Sequence, residues 1–139
     1  MCLIDYTPCK HKEKIGYKIM ATTHYGLVAL FGPWKEGHRF RVGYTYQAKC
    51  LVNRRVATPY EPGFNAYARL SDAVEEICFH GYNPDRGRPV IVKVRLFGVH
   101  TKGRDISPFG RDIPCFVGRK QQILKIYQPR ELERYKRKS

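Results

Sequence analysis

The sequence predicts an α+β fold, a curved and mainly antiparallel sheet packed on one central helix. Three observations lead there. Apolar and polar residues alternate with period two in several separate stretches, the signature of half-buried strands. One stretch, residues 70–78, switches to helical spacing. Ten tyrosines and seven phenylalanines in 139 residues enrich the chain in side chains that favour strands. Runs of strands with a single helix between them point to an α+β arrangement.

Taken in order, residues 1–14 read as an irregular N-terminal arm, with Cys2, Cys9 and His11 too few and too irregularly spaced for a structural zinc site. Gly16 to Ala21 reads as a first strand and Gly26 to Phe31 as a second, ended by Gly32-Pro33. Trp34 to Gly37 reads as a turn with the single tryptophan plugging the core beneath it. From Arg39 to Leu51, Phe40, Val42, Tyr44, Tyr46 and Ala48 alternate with Arg41, Gly43, Thr45, Gln47 and Lys49, a half-exposed strand.

The clearest local signal lies in the middle. Pro62-Gly63 is turn chemistry. Phe64, Ala66 and Ala68 then alternate with Asn65, Tyr67 and Arg69 as a short strand. Ser71 is placed as the N-cap of a helix, and Asp72, Glu75 and Glu76 bring negative charge to its first turns, where the helix dipole favours it. Ala73, Val74, Ile77 and Cys78 form its apolar face; Glu75 and Glu76 are expected in solvent. Val90 to Val99 reads as a strong strand, residues 100–119 as a long Gly- and Pro-punctuated connection, and Gln121 to Tyr127 as the last strand. Residues 129–139 form a short basic tail. The expected core brings Phe64, Ala66, Ile77, Val92, Val94, Leu124 and Ile126 together. The length fits a single domain over 1–139.

Charge narrows the partners. Twenty-six Lys and Arg against twelve Asp and Glu give +14, which points to an anionic partner: a nucleotide-type small molecule or a nucleic acid. No apolar run approaches the ~20 residues that span a membrane, and the N-terminus lacks the pattern of a signal peptide. Five cysteines, an odd number with no Cys-x-x-Cys pair, suit reduced thiols in the cytoplasm. The many aromatic, half-apolar strands would also suit a homo-oligomer.

No nucleophile elbow, phosphate-cradling Gly-x-x-x-x-Gly-Lys-Ser/Thr loop or His-Glu-x-x-His metal motif is present. No catalytic residue, metal ligand or cofactor is assigned from the sequence. Arginine meets phosphate as a two-pronged fork, and arginines lie next to glycines and prolines in the predicted loops. The candidate ligand site therefore comprises Arg86, Arg88, Arg104, Arg111 and Arg119, with Asn65 and Tyr67 from the central strand. Lys102 and Lys120 add charge, and Tyr60, Phe64, Tyr82, Phe109 and Phe116 are aromatic surfaces on which bases could stack.

Gly63-Phe64-x-Ala66-Tyr67 followed by Leu70-Ser71-Asp72-Ala73, with the strand Gly16 to Met20 and the turn Trp34 to Gly37, resembles a group of small phage and bacterial proteins that read Gly-Phe-His-Ala-Phe and Leu-Glu-Asp-Ala. The resemblance covers roughly residues 15–79, and Asn65 stands where that group has histidine. A looser one runs to ADP-ribosyltransferase-like folds, which would imply an enzyme using a nicotinamide dinucleotide. The leading expectation is a non-enzymatic protein that binds a phosphate-bearing nucleotide-type ligand; the phage resemblance would make it one that sequesters a host immune signal. A nucleic-acid-binding protein using the basic loops and tail is the alternative.

Overall fold

Three long strands carry the structure. The computed structural model describes residues 3, 5–24, 26–29, 39–47, 63–78, 87–106 and 112–135. Strand β1 runs Asp5–Thr23, β2 Gly26–Ala29, β3 Thr45–Gln47, β4 Phe64–Tyr67, β5 Arg88–Ile106 and β6 Asp112–Ile126. Helix α1 spans Leu70–Ile77, and a short α2, Pro129–Leu132, leads into a 3-10 turn at Glu133–Tyr135. Every strand pairing among the described residues is antiparallel.

The pairing closes on itself. β1 pairs with β5 and β5 with β6 along most of their lengths. β4 then pairs with β6 from Phe64↔Gly118 to Tyr67↔Cys115 and meets β1 at Tyr17↔Tyr67. These four strands form a closed circuit, so neither long edge is left entirely unpaired. β2 and β3 continue the closure at one end: β2 pairs with the last residues of β1, β3 pairs with β6, and Phe40 bridges to Leu27.

The two faces of these strands support two separate cores. Inside the circuit lie Met20, Ala66, Val92, Val94, Leu96 and Ile123. On the outer face, Tyr67, Ile91, Ile113, Cys115 and Val117 pack with Ala73 and Val74 of α1 and Leu132 of α2. Alternation explains the division: Ala66 and Tyr67, like Ile91 and Val92, are neighbours in sequence and point to opposite faces. The single core expected from the sequence is therefore two. Ala66, Val92 and Val94 are buried inside with Phe64 and Ile126 against them, Ile77 belongs to the outer core, and Leu124 is half-buried.

Gly16 shows how tightly the inside is drawn. A Cβ there would lie 2.7 Å from the Ala66 Cβ and 3.2 Å from the Tyr67 carbonyl oxygen. Only glycine lets β1 approach β4 this closely.

Three expectations are corrected. Residues 5–14 belong to β1, although their polar, lysine-rich sequence shows no buried face; they supply hydrogen-bond partners to the second half of β5, whose backbone groups would otherwise lie open. The predicted connection 100–119 is largely strand, because β5 continues to Ile106 and β6 begins at Asp112. The strand expected from Arg39 to Leu51 is broken at Gly43, whose φ of +91° turns the chain and leaves Val42 and Tyr44 exposed, so that only Thr45–Gln47 forms a strand. The described part of the predicted second strand is Gly26–Ala29, and the Trp34 turn and residues 48–51 lie outside the described residues.

Helix α1 begins one residue before the predicted cap. Its N-cap is Arg69, with no side-chain capping bond, and Ser71 sits inside the first turn. The Arg69 guanidinium instead binds the Asp72 carboxylate, Nε to Oδ2 at 2.8 Å and a second contact at 3.4 Å. Asp72 and Glu76 are both buried, so the expectation of a solvated acidic face at Glu76 is corrected.

The described thiols differ sharply. Cys78 is exposed, Cys9 half-buried and Cys115 buried in the outer core. Burial first, then the Asp105 carboxylate, pushes the Cys115 thiol up to about 12. Iodoacetamide applied to the folded protein near neutral pH should modify Cys78 well before Cys115, which should stay untouched until denaturant is added, because the thiolate is the reactive form. Peptide mapping by mass spectrometry checks this. Cys115 alkylated as fast as Cys78 in the folded protein would contradict the burial of β6.

Candidate functional site

The inner face of β1 carries Lys14, Gly16, Lys18 and Met20 in alternating positions. Gly16 is spent on the close approach to Ala66, and a lysine stands on either side of it. The pairing of β4 with β6 decides what those lysines meet. Ala66 faces Phe116 and Phe64 faces Gly118 in register, so both rings belong to the inner face. The Lys14 ammonium lies 5.5 Å from the centre of the Phe116 ring, and the Lys18 ammonium lies 5.6 Å from the centre of the Phe64 ring. Two lysine–aromatic pairs thus sit side by side. A cation over a ring face is attracted by the ring's quadrupole.

Around Phe116 the strands leave an open groove of about 430 Å³, lined by Asp5, Tyr6 and Thr7 of β1, Lys102 to Arg104 of β5, and Pro114 to Phe116 of β6. Register places Thr7, Lys102 and Phe116 across from one another on one face. The His11 ring meets Phe116 edge-on, with centroids 6.2 Å apart. Lys14 and Lys102 form no ion pair among the described residues, and both bear on Cys9. Burial pushes the Cys9 thiol up, while the fields of Lys102 and Lys14 pull it down.

At the far end of the groove Arg104 is neutralised. Its guanidinium binds both Asp5 and, at 2.6 Å, Asp112. The bond to Asp5 and the two carboxylate charges hold its proton more firmly still. These are exposed pairs, which contribute little to stability.

The second lysine is held differently. Lys18 Nζ donates to Gln121 Oε1 at 3.0 Å, and Gln121 is fully buried. Desolvation lowers the Lys18 ammonium to about 8. Tyr46 stands opposite Gln121 in register. Phe40 packs edge-on against Tyr46 at 4.8 Å and against Phe64 at 6.4 Å, so the amine and amide lie beside aromatic walls.

The residues singled out from the sequence are distributed along the sheet. Arg88 opens β5 opposite Thr22, and Arg104 lies sixteen residues further along the same strand, on the order of 50 Å at the rise of a strand. Arg119 is an exposed residue of β6 whose side chain crosses Gly98. Arg88, Arg104 and Arg119 are thus strand residues where loops were expected. Arg86 and Arg111 lie outside the described residues, as do Tyr60, Tyr82 and Phe109. Asn65 and Tyr67 point to the outer face, opposite Val117 and Cys115. Tyr67 is buried there, and its hydroxyl is held well above the ordinary tyrosine range by desolvation and by the neighbouring Asp105 and Glu76. Phe64, Phe116 and Lys102 were legible as aromatic and basic candidates. Lys14, Lys18 and Gln121 were not singled out. The lysines' two-residue spacing from Gly16 was the available signal, but only pairing with β4 shows which face is the inner one.

Comparison with protein families, with characterised proteins and with solved structures finds no match. No helix among the described residues is long and apolar enough to cross a membrane. The arrangement favours planar aromatic groups through its rings and negative charge through its lysines, and both occur together in nucleotides.

Proposed function

We propose that the chain binds single-stranded nucleic acid along the inner edge of β1, with bases against Phe116 and Phe64 and phosphates on Lys14, Lys102 and the neighbouring basic residues. The pair of lysine–aromatic contacts carries this reading. Lys14 and Lys18 are four residues apart on one strand, or about 13 Å, a spacing that suits successive units of a chain better than one compact ligand. Stacking on aromatic side chains and charge along the backbone are the two parts of sequence-tolerant single-strand binding. Lys10 and Lys12 extend the positive charge along β1, and the formal charge of +14 favours a polyanion.

A second reading keeps one observation on its side. The groove at Phe116, about 430 Å³, has the size of a small-ligand site. A single phosphate-bearing nucleotide or cyclic nucleotide would fit its aromatic and cationic lining, and a phage protein that captures a host signal would use such a site.

Fluorescence anisotropy over a salt series separates the two. A labelled single strand of about 15 nucleotides should bind with affinity falling steeply as salt rises, at roughly −0.7 in log–log slope per phosphate contact. The double substitution Lys14→Ala with Lys102→Ala should flatten that slope by about 1.4. Phe116→Ala should weaken binding by about 1–3 kcal/mol. Unchanged affinity and slope in the double variant would remove this surface from the interaction. Preference for a mononucleotide, with a shallow slope, would favour the small-ligand reading.

A further inference from the structure

The outer face of the sheet carries a second group of cations and rings, none of which lines the groove. Lys93 lies between Val92 and Val94, which are buried inside, so its side chain leaves on the outer face. In register it stands between Tyr17 of β1 and Lys125 of β6. Like charges directly opposite on neighbouring strands repel. Glu131 of α2 answers one of the two lysines, through an ion pair with Lys125. Lys93 has no ion pair among the described residues. Arg134 belongs to the same group: the bond to Glu131 holds the Lys125 proton more firmly, and the field of Arg134 opposes it.

Tyrosines stand beside these charges. The Tyr17 and Tyr127 rings have centroids 6.4 Å apart. The Lys125 ammonium lies 4.9 Å from the centre of the Tyr127 ring, and the Arg134 guanidinium 4.8 Å from the centre of the Tyr135 ring. Arg134 donates to the Tyr135 hydroxyl at 2.8 Å and pairs with no carboxylate among the described residues. All three tyrosines are half-buried against the outer core, so each is anchored on one side and keeps part of its surface in solvent. Cations without acidic partners, set among anchored rings, repeat on this face the chemistry of the inner one.

We propose that the outer face is a second contact surface for the nucleic acid, with phosphates on Lys93 and Arg134 and bases against Tyr17 and Tyr127. This rests on the single-strand reading above. β1 is common to both surfaces. Lys14 meets Phe116 on the inner face, and Tyr17 stands three residues along on the outer one, about 10 Å away. From Thr7 to Ile15 the edge of β1 away from β5 carries no strand among the described residues, so no neighbouring strand separates the two faces there. A strand held at the inner site can pass over this edge, and tethering then raises its effective concentration at the outer one. A mononucleotide in the groove reaches neither Lys93 nor Tyr17.

The test compares single strands of about 5 and about 30 nucleotides, read by fluorescence anisotropy over a salt series. Lys93→Gln with Arg134→Gln should weaken the long strand about tenfold and flatten its log–log salt slope by about 1.4, while the short strand binds as it does to the parent. Melting curves establish that the variant is folded. Acetylation of the parent's lysines, mapped by mass spectrometry, needs no variant: Lys93 and Lys125 should be protected in the long-strand complex and not in the short-strand one. A folded variant that holds the long strand with the parent's affinity and slope overturns this inference and leaves the single-strand reading standing. So does equal acetylation of both lysines in the two complexes. Protection of Lys93 and Lys125 by poly-glutamate, with none from the long strand, overturns it in favour of an acidic protein partner. Binding of neither strand removes the single-strand reading and this proposal together.

Discussion

Val94→Asp is expected to leave no cooperatively folded protein at room temperature. Val94 is fully buried on the inner face, opposite Gly16 of β1 and Ile123 of β6. One of its methyl carbons lies 3.8 Å from where a Gly16 Cβ would stand, and Ala66 closes the same space from β4. A carboxylate placed there meets apolar side chains, and the strand backbone donors are already committed to the ladders. An unpaired buried charge costs several kcal/mol, comparable with the whole stability of a domain this size. Circular dichroism melting of the variant checks the expectation. Lys12→Asp, an exposed change on β1, serves as the control for charge alone and should shift stability by less than about 0.5 kcal/mol. A folded Val94→Asp protein melting with the parent would refute the closed circuit of strands.

Lys18→Met is expected to change how stability depends on pH. The Lys18 ammonium is lowered from 10.5 to about 8 by desolvation. Between those values the unfolded chain holds a proton that the folded chain has released. Stability conferred through this group therefore rises with pH across the window, and below about 8 the folded state carries the full cost of the buried charge. The shift corresponds to roughly 3 kcal/mol at 1.36 kcal/mol per unit. Losing the Lys18 to Gln121 hydrogen bond adds a constant penalty to the variant, but that penalty does not vary with pH. The quantity to follow is the difference in unfolding free energy between parent and variant, measured by urea titration from pH 7 to 10.5. The parent should gain on the variant by up to about 3 kcal/mol across that range. A difference that stays flat would place the ammonium in solvent, and the contact with Gln121 would then be peripheral.

How much of this was legible depends on where the decisive interactions are local. Residues 62–78 declare a turn, a strand and a helix through near-neighbour chemistry, and β4 and α1 lie there. The strong apolar alternation of Val90 to Val99 likewise marks the heart of β5, and the predominance of antiparallel sheet follows from several such stretches. The excess of lysine and arginine is a property of composition and points to an anionic partner before any folding is considered.

What the sequence could not show is long-range. Residues 5–14 look irregular because neither face is apolar; they become strand through backbone bonds to residues about ninety positions away, from Asp5↔Arg104 to Lys14↔Leu96. The arginine candidates looked like a loop cluster because Gly103, Pro108, Gly110, Pro114 and Gly118 read as turn residues. Of these, Gly103, Pro114 and Gly118 lie within strands, where a glycine admits close backbone approach and a proline occupies a tolerated position. Glu76 was expected in solvent from its offset around the helix, yet it is buried where α1 packs on β1, β4 and β5. The same limit applies to the site. Lys18 and Gln121 are separated by 103 positions, and no local pattern joins them. Residue type alone determined that this protein is basic, aromatic and strand-rich; closure of β4 across β1 and β6 decided which lysines meet which rings, because a strand's two faces are chemically distinct only once a partner strand defines the inside.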